Sequence, residues 1–143
     1  MRVDFYQLSK DPAETAVALI AQKVVESGKR LLVVAEDPML HARISHALWR
    51  QPDSFLANGP AGSGHDERQP ILLSERLDPA NGATFLALAD GQWREGEGFE
   101  RVFLFFDDST VAASRSLWRE LGEREGTERH FWKQDGGKWV KAG

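Results

Sequence analysis

Two unbroken apolar runs constrain this chain more than any other feature: Lys29-Arg30-Leu31-Leu32-Val33-Val34-Ala35 and Arg101-Val102-Phe103-Leu104-Phe105-Phe106. A strand with one face in water alternates apolar and polar residues, whereas a run without alternation suits a strand covered on both faces, as parallel strands are. The second run is the more apolar and is expected at the centre of a sheet. Helical patterns supply the crossovers that parallel pairing requires. Val17, Ile20, Ala21 and Val24 recur at spacings of three and four after Asp11 and Pro12, which are expected as cap and first helical residue. Gly28 stops that helix after about four turns. Pro38 opens a second helix carrying Leu40, Ile44, Ala47 and Leu48 on one face, and Pro52 closes it near Trp49-Arg50-Gln51.

The remaining elements follow the same logic. Val3 to Leu8 reads as a first strand. Asn58 to Gln69 is turn-rich and nearly devoid of apolar residues, and is expected as a surface loop. Ile71-Leu72-Leu73 and Thr84 to Leu88 are further short strands, with a turn over Asp78-Pro79-Ala80-Asn81-Gly82 between them. A last helix is expected over about Val111 to Arg124, introduced by Asp107-Asp108-Ser109-Thr110. Arg129 to Gln134 reads as an edge strand, followed by a short Lys138-Trp139-Val140-Lys141 tail. The expectation is one α/β domain over residues 1–143, an open, mostly parallel sheet with helices on both faces. Ligands of such sheets sit at the carboxyl ends of the strands.

Composition narrows the chemistry. With 143 residues and 41% apolar content the chain can bury a core unaided. It has no cysteine, which excludes disulfide staples, thiol nucleophiles and iron–sulfur clusters. No apolar stretch approaches a membrane span and the N-terminus lacks signal-peptide architecture, so a soluble, cytoplasmic protein is expected. The net charge of −4 argues against a protein that coats duplex DNA.

This order of elements constrains the catalytic chemistry open to the chain. Dinucleotide binding needs a glycine-rich turn between strand and helix, and the first crossover, Ser9-Lys10-Asp11-Pro12-Ala13, has no glycine. A Mg²⁺-dependent phosphatase-like or receiver-like site could use Glu36, Asp107 and Asp108, which follow two strands; the same residues also suit helix N-termini, where the dipole favours carboxylates. His41 and His46 are five residues apart and do not share a helix face, and all four histidines are expected to be ordinary exposed ones. No metal or other cofactor is implied. Nor does any Gly-x-Ser-x-Gly elbow place a nucleophile.

What remains is a set of aromatic and basic residues. On the last helix, Val111, Ser114, Leu117 and Leu121 can face the sheet, leaving Arg115, Trp118 and Arg119 together at the surface. From Arg115 to Gly143 there are 7 Lys+Arg and 5 Asp+Glu, so this end is positive in an acidic chain. Guanidinium groups beside an indole suit a carboxylate next to an aromatic group, as on an acidic C-terminal peptide. Alternatively, Trp118 packs into the core and the arginines pair with Glu120, Glu123 and Glu125. Trp49 and Phe55 flank a Pro-terminated turn, where they either anchor another protein or form a lid under the long loop. Trp118, Trp132 and Trp139, with neighbouring Lys and Arg, are the residue types of a single-stranded nucleic-acid surface.

Phe5-Tyr6-Gln7-Leu8, Gly28 to Asp37, Ala47-Leu48-Trp49 with Pro52 and Ser54-Phe55, Phe105-Phe106-Asp107-Asp108, and Phe131-Trp132-Lys133-Gln134 with Gly137-Lys138-Trp139 form an ordered set of blocks. In that order and spacing the chain resembles the chi subunit family of bacterial DNA polymerase III, accessory proteins of the clamp loader. The resemblance implies a non-catalytic, Rossmann-like protein without a nucleotide-binding glycine loop, and two protein-binding faces. One would take the acidic, Pro-Phe-ended tail of single-stranded-DNA-binding protein, with Arg115 as carboxylate clamp, Trp118 as packing wall and Arg119 as auxiliary cation. The other, anchored by Trp49 and Phe55, would bind the psi subunit and so the clamp loader, or a repair helicase. Contact with DNA would then be mainly indirect.

Overall fold

The structure, a computed structural model, describes residues 1–51, 56–96, 98–135 and 138–142. Its elements run β1 (Arg2–Gln7), α1 (Ala13–Glu26), β2 (Leu31–Val34), α2 (Pro38–Trp49), β3 (Asn58–Pro60), β4 (Ile71–Ser74), β5 (Phe85–Leu88), β6 (Arg101–Phe106), α3 (Val111–Gly122), β7 (Glu128–Asp135) and β8 (Lys138–Lys141). The strands form one sheet in the order β3-β4-β2-β5-β6-β1-β7-β8. Every neighbouring pair is parallel except β7 with β8. The open, mostly parallel α/β sheet read from the apolar runs is thus the observed architecture.

The two runs behave as their lack of alternation predicts. Leu31 to Val34 are all fully buried, and Val102 to Phe106 nearly so. Odd and even residues of these strands feed different cores. Leu31, Val33, Phe103 and Phe105 pack beneath α1 and α2, while Leu32, Val34, Val102, Leu104 and Phe106 pack toward α3. Helices therefore cover both faces. In β1, Val3 and Phe5 point to the α3 side and Tyr6 to the α1 side, which places the fully buried Asp4 on the α1 side as well.

Local signals account for most helix ends. Gly28 adopts φ +81, its N–H donates to the Val25 carbonyl and the Lys29 N–H to the Val24 carbonyl, the paired bonds of a left-handed helix stop. Asp37 caps α2 by accepting from the Met39 N–H at 2.9 Å, with Pro38 at the first helical position. The start of α1 differs from expectation. Pro12 itself occupies the cap position with extended backbone, and Asp11 does not cap. Asp11 is instead engaged by β7: its carboxylate accepts from Gln134 Nε2 at 2.7 Å, and Gln134 Oε1 accepts from the Ser9 N–H and hydroxyl.

Two other expectations are corrected. The segment from Asn58 is not wholly a loop, because Asn58–Pro60 pairs with β4 as an edge strand and Asp66–Arg68 forms a 3₁₀ turn. The buried Asn58 side chain holds the strand in place, accepting from Ser45 Oγ at 2.7 Å and donating to the Leu56 carbonyl. Pro60 is tolerated because only an edge strand can omit a ladder donor. β7 is likewise not the edge. It lies between β1 and β8, since the Lys138–Lys141 segment turns back on it.

Candidate functional site

The residues singled out on the last helix come together on the α3 side of the sheet. α3 buries Ser114, Leu117 and Leu121 against the sheet and leaves Arg115 and Arg119 exposed. Burying a leucine at each of the two apolar positions stabilises the docked helix by about 1.5–3 kcal/mol. Trp118 lies between these faces, half-buried. Its ring stands edge-on to Phe5 at 5.2 Å and to Phe131 at 5.8 Å. The Arg129 guanidinium lies 4.2 Å from the indole centroid and donates to the Trp118 carbonyl. Gly122 makes room for this arrangement, because a Cβ there would stand 2.6 Å from Arg129 Cζ. The indole is therefore fixed before any ligand arrives.

Beside it is a cavity of about 380 Å³, lined by Arg115, Trp118 and Arg119 together with Phe131 and Lys133 of β7. Gln7, Phe106, Val111 and Ala142 complete its lining. Among the described residues Arg115, Arg119 and Lys133 form no ion pair, and no carboxylate lines the cavity. The competing expectation, Arg115 and Arg119 paired with Glu120, Glu123 and Glu125, is not met among the described residues. Glu120 pairs with Arg124, and Arg124 also holds Glu95 at 2.6 Å. That pair, with a further hydrogen bond from Trp93, keeps the Glu95 carboxyl down at about 2. The other half of the competing expectation is met in part, since Trp118 packs against Phe5 and Phe131 while still lining the cavity.

Phe131 and Lys133 were not legible as site residues. They reach the cavity because β7 pairs in parallel with β1, setting Lys133 opposite Gln7, and because alternate residues of a strand share a face. The same alternation sends Trp132 to the other side. Trp118 thus belongs to the α3 side and Trp132 and Trp139 to the α1 side, so the three tryptophans do not form one surface.

The second predicted face is described only in part. Trp49 ends α2 with 52% of its surface exposed; Phe55 lies outside the described residues.

The acidic alternative is not assembled. Asp107 and Asp108 line a larger cavity, about 890 Å³, at the carboxyl ends of β1 and β6, together with Asp11, Glu14 and Asp90. Glu36 does not line it; its backbone N–H donates to Asp90. Asp107 accepts from the Ser109 hydroxyl at 2.6 Å and the Ser109 N–H at 2.9 Å, which hold its carboxyl below the usual range and shape the turn into α3. Among the described residues no three His, Asp or Glu side chains could share a metal ion.

Two histidines also differ from expectation. His41 and His130 are partly buried, with Nε2 against the Ala35 carbonyl at 2.6 Å and the Glu128 carboxylate at 2.7 Å respectively. Both hold structure together.

Fold and pocket define a class: an open α/β domain with no glycine loop at its first crossover, bearing on its third helix a cationic pocket built around a fixed indole. Comparison with known proteins makes this specific. The model of the family described as DNA polymerase III chi subunit, HolC, matches residues 1–128, and the chain belongs to that family. A curated relative, DNA polymerase III subunit chi of Escherichia coli (strain K12), is 32% identical over 78 residues, covering 49% of this chain and 53% of that one. The chain thus spans about half the length of the curated relative it matches. Among the described residues no helix is long and apolar enough to cross a membrane.

Proposed function

We propose that this chain is a non-catalytic accessory protein of DNA replication, working in the cytoplasm as a tether. One face would hold the acidic C-terminal tail of single-stranded-DNA-binding protein. The other would hold the polymerase III clamp loader, through a psi subunit or in its place a repair helicase. Family membership supports the setting. The observation that carries the tail reading is the α3 pocket, where Arg115, Arg119 and Lys133 surround Trp118 and Phe131 with no carboxylate among the described lining residues. An acidic peptide ending in an aromatic residue supplies what the pocket lacks. Its terminal carboxylate meets guanidinium donors, its ring packs against the indole, and upstream acidic residues meet the remaining cations. No bond is made or broken.

The test is a titration of the purified protein with the acidic, Phe-ended tail of its own single-stranded-DNA-binding protein, beside a peptide lacking the final Phe. The reading expects saturable binding that needs the Phe and weakens as salt rises. Equal binding of the two peptides would refute it.

Trp49 and Phe55 are proposed as anchors of the second face, supported by the exposure of Trp49 at the end of α2. Trp49→Ala is expected to keep tail binding within about twofold, as distant sites act independently, while losing the clamp-loader or helicase partner in a pull-down.

A further inference from the structure

On the opposite side of the sheet a second groove, about 520 Å³, opens between the end of α1 and strands β1, β6, β7 and β8. Aromatic rings form its floor. Tyr6 lies nearly parallel to Trp132, with centroids 6.1 Å apart and an interplanar angle of 11°, and Trp139 stands edge-on to Tyr6 at 5.1 Å. Phe85 and Phe103 extend the floor toward β5 and β6. Trp132, Trp139 and Phe85 are each only partly buried, so this floor meets solvent.

Cations rim the same groove. Lys23 and Lys29 come from the end of α1 and the segment after it, and Arg2 and Arg101 from the starts of β1 and β6. Lys141 joins them, because it lies directly opposite Trp132 in the β7–β8 pair and directly opposed residues share a face. Arg101 donates its Nε–H to Asp4 at 2.7 Å, hydrogen-bonds the Tyr6 phenol and lies 4.7 Å from the Phe103 centroid, so it is held within the fold. Lys29 is loosely paired with Glu100 at 3.6 Å. Lys23 and Lys141 are exposed and form no ion pair among the described residues. Lys23 also offsets the negative end of α1, and Arg2 approaches Glu128 at 3.9 Å, so part of the charge is spoken for. The excess is still positive, on a chain whose net charge is −4. Burial pushes the Tyr6 phenol up to about 12, which keeps it neutral beside an anion.

Partly exposed indoles flanked by lysines that lack partners are the two components of a sequence-tolerant single-strand surface: bases stack and phosphates meet ammonium groups. We propose that the Trp132–Trp139 groove binds a single strand of nucleic acid, with a base against the indoles and the backbone along Lys23, Lys29 and Lys141. This site is separate from the α3 pocket, and its ligand is a polynucleotide where that pocket's is a peptide.

The test uses the full chain and a fluorescent oligothymidylate of about ten nucleotides, read by anisotropy at low and moderate salt. Binding is expected to weaken about tenfold in Trp139→Ala, the loss of one stacked base. The double variant Lys23→Gln with Lys141→Gln removes two surface charges without touching the core. It is expected to reduce the slope of log affinity against log salt by about 1.4, the value for two lost phosphate contacts on a single strand. Arg115→Ala is expected to leave oligothymidylate binding unchanged. Absence of binding at low salt would overturn the proposal. So would binding that Arg115→Ala abolishes and Trp139→Ala leaves intact. If the acidic tail peptide, and not the oligothymidylate, loses affinity in Trp139→Ala, the groove takes peptide and the proposal also fails.

Discussion

Two regions of this molecule set arginines beside a tryptophan, and they do opposite things with them. Around Trp132 the two arginines, Arg2 and Arg101, are consumed internally. The Asp4 carboxylate, with no exposed surface, accepts from Arg101 Nε at 2.7 Å, from two Arg2 nitrogens at 3.1 Å and from Trp132 Nε1 at 3.0 Å. Around Trp118, Arg115 and Arg119 face a cavity that no carboxylate lines among the described residues. The residue types are alike; the difference is one buried carboxylate. Where the fold supplies it, the arginines are held internally, and where it does not, they are left exposed to solvent. Volume is a poorer guide, since a larger cavity, about 890 Å³ at the carboxyl ends of the strands, sets Asp11, Glu14, Asp90, Asp107 and Asp108 against only Lys10 and Arg43, a balance that would repel an acidic peptide.

The sharpest way to break this comparison is to remove the carboxylate. Asp4→Ala leaves Trp132 Nε1 and both arginines without their acceptor. It is expected to destabilise the fold by about 2–4 kcal/mol in urea unfolding, somewhat below the cost of breaking a fully buried pair because Arg2 and Arg101 reach solvent. The converse change, Arg115→Ala, should leave stability unchanged and weaken tail binding roughly tenfold to a hundredfold by calorimetry, the value of a charge-assisted hydrogen bond. If Arg115→Ala unfolds the protein, the two clusters are not different in kind.

Acid should separate them next. Burial alone would raise the Asp4 carboxyl, but hydrogen bonds from Arg101, Arg2 and Trp132 outweigh it and hold the group below its ordinary value. A depressed carboxylate contributes stability above its unfolded value, about 3.9, and that contribution is lost as pH falls through the lower folded value. Unfolding midpoints of the parent are thus expected to fall more steeply below about pH 4 than those of Asp4→Asn. The smallest effect concerns Gly122→Ala. The new Cβ displaces the flexible Arg129 guanidinium from the indole, and a change in Trp118 fluorescence is expected with at most about a threefold change in tail affinity, the scale of a partly exposed cation–π contact.

Most of the fold was legible because it rests on one-dimensional patterns. The unbroken runs at Leu31–Val34 and Val102–Phe106, the three-and-four spacing in α1, and Pro38 after Asp37 each have a local physical meaning. β3 was not legible because Asn-Gly-Pro has low strand propensity; it forms only because the outer edge of β4 and the Ser45 hydroxyl engage it. β7 was misplaced at the edge because nothing local in Lys138–Lys141 shows that it folds back. The site divides the same way. Arg115, Trp118 and Arg119 share a helix face and could be read together, whereas Phe131 and Lys133 arrive through a parallel pairing that spans the chain. Asp4 gave no sign of its burial, because the partners that satisfy it include Arg101 and Trp132, far along the sequence.

Backbone amide chemical-shift mapping during addition of the acidic, Phe-ended peptide would locate the tail on the molecule. Shifts are expected to concentrate in residues 111–122 of α3 and in Phe131 to Lys133 of β7, with little change at Asp4. Shifts centred on Ser9 to Ala13 and Ala89 to Asp90, around the larger acidic cavity, would contradict it.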